Sequence, residues 1–211
     1  MIFLKHRFLN IFCKKKIKYF KKENQTFLKQ KKISNDYFSM HSYNFYKWLN
    51  GFKNNFNYLE IGTYEGNSAM FVARTYKDSN VYCVDNWKKT EEYGDQNFSL
   101  VEKNFDTNVS NFSNIIKIKE NSDNFFLNNK IYFNIIYIDG HHKDFQVLKD
   151  CKSAWNYLKP DGILICDDYI WNFYENLKEN PCYSINLFLS EIKNESKILD
   201  VSKSQIFIKK L

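Results

Sequence analysis

Asn57-Tyr58-Leu59-Glu60-Ile61-Gly62-Thr63-Tyr64-Glu65-Gly66-Asn67-Ser68 is the stretch whose reading decides the fold. The apolar run Tyr58–Ile61 suits a strand and the segment from Ser68 onward suits a helix, with two of the chain's six glycines in the turn between them. Such a turn brings backbone close to a ligand where side chains are missing. It also leaves the first N–H groups of the following helix free to bind polar groups.

Outward from this turn the pattern alternates. Strand-like runs at Tyr58–Ile61, Val81–Asp85, Ile115–Lys119, Tyr132–Asp139 and Gly162–Asp167 are separated by helix-like stretches at Ser68–Tyr76, Phe98–Val109 and Phe145–Leu158. In the last of these, Leu148, Cys151, Trp155 and Leu158 share one helical face. Asp36–Leu49 reads as an earlier helix capped by Asp36 or Ser34, and Pro181–Phe188 as a later one. Lys197–Val201 and Gln205–Lys209 read as a C-terminal antiparallel hairpin. Buried strands alternating with helices predict an α/β fold with a mostly parallel sheet covered on both faces.

A length of 211 residues suits one α/β domain plus an arm, and the 44% apolar content with 20 Phe and 15 Tyr supplies a core. We place the arm at residues 1–35 and the domain at 36–211. Charge is divided unevenly: residues 1–32 hold 11 basic residues and one acidic, Glu23, for +10, whereas the rest carries 20 basic and 23 acidic residues, for −3. The domain is therefore not expected to bind nucleic acid, and any anionic partner falls to the arm. One reading of the arm is a basic amphipathic helix that lies on an anionic membrane or binds a partner. The Lys- and Asn-rich composition favours the other, a solvated, partly disordered extension.

The five cysteines show no C-x-x-C spacing, so no zinc site is expected. Cys83 and Cys166 lie in apolar runs, which points to reduced thiols in a cytoplasmic compartment, peripheral to a membrane only through residues 1–32. Lys5, His6 and Arg7 interrupt the apolar start, and neither a signal peptide nor a membrane span is expected. Oligomeric state stays open, a homo-oligomer included.

Ligands of open α/β sheets bind beyond the carboxyl ends of the strands. Here those ends read Glu60-Ile61-Gly62, Asp85-Asn86-Trp87, Asp139-Gly140-His141-His142 and Asp167-Asp168-Tyr169. The glycine spacing is G-x-x-x-G, not the G-x-G-x-x-G of dinucleotide sites, and Glu60 and Glu65 place negative charge where a pyrophosphate would lie. Asp85, ending the next strand, is placed to accept the two hydroxyls of a ribose. An adenosine-containing ligand without a pyrophosphate fits this set.

Five motifs in order carry a resemblance. Tyr58 through Ser68, Val84-Asp85-Asn86-Trp87, Tyr137-Ile138-Asp139-Gly140-His141-His142, Leu158-Lys159-Pro160-Asp161-Gly162 and Cys166-Asp167-Asp168-Tyr169 together resemble a class I S-adenosylmethionine-dependent methyltransferase. Within that class the chain is most similar to metal-dependent O-methyltransferases of the catechol and macrocin types, over about residues 36–211. The resemblance implies a Rossmann-like, doubly wound sheet of seven strands and S-adenosyl-L-methionine as cofactor. The cofactor is expected on Glu60, Gly62, Thr63, Gly66, Ser68, Asp85, Ser122, Asp123 and Asp139. Ser122 and Asp123 would meet the adenine, although the pair reads equally well as an ordinary helix start.

The same resemblance implies a divalent cation, Mg²⁺, on Asp139, Asp167 and Asp168, three carboxylates that would repel one another without it. His142 is the implied general base and Asp139 its catalytic partner, with His141 and Lys143 weaker candidates. The implied reaction is O-methylation of a hydroxyl on a small molecule or carbohydrate. Trp171, Phe173 and Tyr174, after the fifth strand, form either an aromatic wall for that acceptor or lid packing. A metal-independent methyltransferase and a non-catalytic interaction protein on the same scaffold are the alternatives. An NAD-type oxidoreductase lacks its glycine signature here.

Overall fold

The computed structural model describes residues 2–53 and 55–211, without the side chains of residues 2–12 and 93. Helix α1 (Ile2–Leu28) opens the chain, and α2 (Ser42–Leu49) precedes β1 (Asn57–Ile61). The alternation then runs α3 (Asn67–Thr75), β2 (Asn80–Asp85), α4 (Phe98–Val109), β3 (Ile115–Lys119), α5 (Ser122–Asn128), β4 (Phe133–Ile138), α6 (Asp144–Tyr157) and β5 (Leu158–Cys166). Helix α7 (Pro181–Glu191) and the hairpin β6 (Ser196–Ser202) and β7 (Gln205–Lys210) complete it.

The seven strands form one sheet in the order β3-β2-β1-β4-β5-β7-β6. Pairs among the first five are parallel, and β7 runs antiparallel to both β5 and β6. The chain winds outward from β1 in one direction and resumes from β4 in the other. The topological switch, and the crevice it opens, therefore lies between the ends of β1 and β4.

Period-two alternation divides each strand between two cores. Tyr58, Val81, Cys83, Ile135, Tyr137, Ile163, Ile165 and Phe207 pack with Phe45 and Leu49 of α2, Phe71 and Val72 of α3, and Val101 and Phe105 of α4. Leu59, Ile61, Val84, Ile136, Ile138, Leu164, Ile206 and Ile208 face the other way, onto Phe125 and Phe126 of α5, Val147, Cys151 and Trp155 of α6, and Ile185 and Phe188 of α7. Both faces of the sheet are buried, which is why the central strands read as nearly unbroken apolar runs.

Two expectations about the N-terminal region are corrected. The solvated extension is a helix, because α1 has a surface to pack on. Phe20 meets Tyr46 at 4.6 Å, Asn24 is fully buried, and Arg74 of α3 grips the Glu23 carboxylate with two bonds of 2.7 and 2.8 Å. The second helix starts at Ser42, not Asp36, and neither Asp36 nor Ser34 caps it. The Asp36 carboxylate instead accepts from Ser39 N, Asn67 Nδ2 and Gln25 Nε2, which holds residues 36–41 in an irregular loop. Among the described residues no helix is long and apolar enough to cross a membrane.

Candidate active site

The glycine turn is shaped first by its neighbour strand. Gly62 has φ +82°, and a Cβ there would lie 2.0 Å from the carbonyl oxygen of Asp139, so any side chain would collide with the end of β4. Gly62 N donates to Val84 O and Asp139 N donates to Ile61 O, which fastens the turn to the ends of both flanking strands. Gly66, also at positive φ, precedes α3, and a Cβ there would press within 3.0 Å of Phe105.

Polar side chains fix the turn from beneath. Asp85 accepts Thr63 N and Tyr64 N on one oxygen and Trp87 N on the other, at 3.0, 3.0 and 2.7 Å. Burial pushes its carboxyl up, and these backbone donors pull it back. Glu60 is fully buried under the turn, where Tyr58 and Ser68 hydroxyls donate to its two oxygens at 2.7 and 2.9 Å. Burial pushes its carboxyl up to about 7 against those bonds. Glu65 points away from the ligand side and accepts from Ser34 N, Ser34 Oγ and Asn104 Nδ2. The turn's negative charge is thus directed into the protein, and the repulsion of a pyrophosphate expected from these two glutamates is not how they are used.

Two cavities open at the switch point. The first, of about 190 Å³, is lined by Gly62, Tyr64, Asp85, Asn86, Ser122, Asp123, Asp139, His141, Gln146 and Asp150, among others. The second, of about 390 Å³, is lined by Thr63, Ser68, Asp139, His142, Asp167, Asp168 and Trp171 and by Tyr37, Phe38, Met40 and His41 of the loop before α2. Gly62, Tyr64 and Asp139 border both, so the site is two chambers sharing one partition. Of the residues expected to hold the cofactor, Glu60 and Gly66 line neither chamber and act through the turn; the other seven line at least one. Ser122 and Asp123 begin α5 behind the cap Asn121 and also face the first chamber, so the two readings of that pair coexist.

The second chamber holds a charged cluster. Donor atoms of Asp139, His142 and Asp168 lie within 4.8 Å of one another. His142 Nε2 is 2.9 Å from Asp168 Oδ2 and 3.9 Å from Asp139 Oδ1, and its Nδ1 is 3.3 Å from Glu92 Oε2. Burial alone would lower the imidazole; bonds to Asp139, Asp168 and Glu92 outweigh it and push it up to about 12. The surrounding carboxylates therefore favour the protonated imidazole. Glu92 is correspondingly held down to about 2: burial opposes this, and His142 and the Tyr174 hydroxyl overcome it.

The three aspartates expected to hold the cation, Asp139, Asp167 and Asp168, all line the second chamber, and Asp167 is in addition tied into the protein. Both oxygens of Asp167 are occupied: Tyr137 OH and Gln205 Nε2 donate to one, Ser204 Oγ and the Asp168 N–H to the other. Asp139 and Asp168 also converge with His142. A two-carboxylate, one-imidazole set fits a divalent ion, and the nitrogen extends the range beyond Mg²⁺ to Mn²⁺ or Fe²⁺.

Some site residues escape sequence reasoning. Glu91 and Glu92 lie in the loop after β2, and the Tyr174 hydroxyl donates to them at 3.1 and 2.7 Å, which ties the segment after β5 across the chamber. Trp171 packs on His142 at 4.8 Å between ring centres and stacks on Phe173 at 5.4 Å. Trp171 is therefore wall, and Phe173 and Tyr174 are its support. Asp150 of α6, its carboxyl pushed up to about 6 by burial, lines the first chamber on a helix whose apolar face drew attention elsewhere.

The sequence profile described as "Methyltransferase domain" matches residues 59–169, more than half of the chain. The chain belongs to the class I S-adenosylmethionine-dependent methyltransferases. No curated protein matches this methyltransferase by sequence. Among solved structures, a protein provisionally named as a caffeoyl-CoA O-methyltransferase from Staphylococcus aureus superposes with TM-score 0.62 at 18% identity, over 99% of this chain and 100% of that one. An O-methyltransferase from Bacillus cereus, in complex with SAH, gives 0.59 at 14%, over 93% and 91%. MycE methyltransferase of the mycinamycin biosynthetic pathway, in complex with Mg and SAH, gives 0.61 at 14%, covering 83% of this methyltransferase and 51% of MycE. At these identities the likeness is one of fold.

Proposed function

We propose that this methyltransferase transfers the methyl group of S-adenosylmethionine to a hydroxyl oxygen of a small molecule or carbohydrate, with a divalent cation held by Asp139, His142 and Asp168. The observation that carries the reading is the shared partition. The first chamber, with Asp85, Asn86, Ser122 and Asp123, suits the adenosine end of the cofactor. Gly62, Tyr64 and Asp139 lead from it into the second chamber, where the charged cluster would face the transferred methyl.

The acceptor would lie against Trp171, its hydroxyl directed at Asp139 and Asp168. As the oxygen attacks, the S–CH₃ bond breaks and the O–CH₃ bond forms, and the hydroxyl proton would pass to a carboxylate oxygen of Asp168 or Asp139 that does not hold the ion. A cation bound there supplies positive charge that acidifies the hydroxyl and stabilises the alkoxide. Alignment of oxygen and methyl by the partition and the Trp171 wall is worth about 7–11 kcal/mol when the attack geometry is good.

One observation favours a second reading. The 2.9 Å contact of His142 with Asp168 already places a cation in the cluster, so the imidazolium alone could serve in a metal-independent enzyme. Methyl transfer from labelled S-adenosylmethionine to a panel of phenols and sugars, with Mg²⁺ or Mn²⁺ and with EDTA, separates the two. Turnover that requires the ion supports the first, turnover that survives full chelation the second, and transfer only to nitrogen or carbon acceptors would sink both.

A further inference from the structure

Helix α1 carries chemistry that methyl transfer does not use. On the side facing the body, Cys13, Ile17, Phe20, Asn24 and Leu28 recur at helical spacing. Asn24 and Leu28 are buried, Ile17 and Phe20 are half-buried, and Cys13 lies against Tyr43. This fixes the helix relative to the domain. Lys14, Lys15, Lys16, Lys18, Lys21 and Lys22 are all exposed, and among the described residues none of them enters an ion pair.

The sequence of α1 also has an order along its length. Leu4, Phe8, Ile11, Lys15, Lys18 and Lys22 follow one another at spacings of four, three, four, three and four, one line along the helix. The line is apolar over its first half and basic over its second. Seven of residues 2–12 are apolar, over a span of roughly 16 Å at helical rise.

We propose that α1 is a membrane-docking helix that binds an anionic lipid bilayer in the plane of its interface. The lysines meet lipid phosphates and carboxylates, and the apolar residues of the first three turns sink among the acyl chains. The apolar half decides between anionic partners: a nucleic acid would be matched by the lysines but gives Leu4, Phe8 and Ile11 nothing to bury against. The helix lies on the membrane because no helix of the described residues is long and apolar enough to span it.

Docking would also orient the enzyme. Burial and, after it, the nearby charge of Lys21 lower the Lys203 pKa, and Lys203 Nζ donates to the carbonyl of Met40, which lines the second chamber. Helix α1 is therefore near the rim of that chamber at Lys21.

The test is co-sedimentation of the full chain with vesicles of phosphatidylcholine alone or with 30 mol% (about) phosphatidylserine. Expected is binding to the anionic vesicles only, weakened by salt. The variant Lys15→Gln/Lys18→Gln/Lys22→Gln should lower the partition coefficient about 100-fold, at roughly tenfold or less per lysine. Leu4→Ser/Phe8→Ser/Ile11→Ser should weaken binding at low salt as well, where charge alone would hold it. Both variants should bind S-adenosylhomocysteine like the parent, which shows that they are folded. No binding to anionic vesicles, equal binding to both kinds, or binding to an RNA oligonucleotide that the serine variant leaves unchanged would each overturn the proposal.

Discussion

Nε2 of His142 lies 2.9 Å from Oδ2 of Asp168, with Asp139 and Glu92 completing a ring of carboxylates around one imidazole. In the proposed reaction the cluster is half of the catalytic arrangement, and its members are separable by mutation. His142→Gln should lower kcat about 10²- to 10⁴-fold while leaving cofactor affinity within a few-fold, since no residue of the glycine turn changes. Calorimetric titration with S-adenosylhomocysteine beside steady-state rates checks both halves of this expectation.

Asp167 and Asp168 are neighbours with different duties. Asp168→Asn should weaken divalent-ion binding, read by Mn²⁺ paramagnetic relaxation, and leave folding stability nearly unchanged. Asp167→Asn should do the reverse: it turns one acceptor oxygen into an NH₂, stranding either the donors of Tyr137 and Gln205 or those of Ser204 and the Asp168 N–H, at a cost of about 1–3 kcal/mol in denaturant unfolding. Equal effects of the two substitutions on ion affinity would contradict the assignment.

Gly62→Ala puts a methyl group 2.0 Å from a carbonyl oxygen at a positive φ of 82°. Neither strain is relieved without parting β1 from β4, so the cost should be on the order of 3 kcal/mol or more. The variant should unfold at lower denaturant and lose cofactor binding together.

Glu60 supplies a pH signature. Its folded carboxyl is pushed up to about 7 from an ordinary value of 4.5. Between these values the folded state holds a proton that the unfolded state has released, so stability is full below pH 4.5 and declines as pH rises through 7. The decline from this group should be on the order of 3 kcal/mol, at about 1.4 kcal/mol per unit. Urea midpoints at several pH values should show it in the parent and a flatter curve in Glu60→Gln.

The Tyr174 hydroxyl bridges to Glu92 and Glu91. Tyr174→Phe should loosen the Trp171 wall, raise the acceptor KM several-fold and leave cofactor affinity unchanged, as initial rates over a range of acceptor concentrations would show.

The fold was readable because β1, β2, β4 and β5 announce themselves twice, by an apolar run and by an acidic or glycine-bearing end. All seven strands fall within a few residues of where the pattern places them, the largest difference being Leu158–Lys159–Pro160–Asp161, which joins β5 ahead of Gly162. The site was readable only in part. Both Asp167 and Asp168 line the second chamber, and sequence does not say which of them is also tied into the protein. That is decided by Ser204 and Gln205, donors from the distant hairpin. Glu92 and the loop of Tyr37 to His41 have no periodicity at all. Their positions come from long-range bonds such as Tyr174 to Glu92 and Asn67 to Asp36, which no local window contains. His142 could be located but its charge state could not, because that depends on three carboxylates brought from separate loops.

The Glu65 carboxylate, enclosed with Ser34 and Asn104, bears on how the chain can be shortened. A version beginning after residue 35 would remove two of the three donors on its oxygens, Ser34 N and Ser34 Oγ, and leave a buried carboxylate beside the cofactor turn. It would also uncap Asn108, whose side chain holds Lys32 at both its N–H and its carbonyl. The first 35 residues are therefore joined to the ligand site by charge as well as by sequence, and trimming them as a dispensable leader would disturb S-adenosylmethionine binding from more than one side.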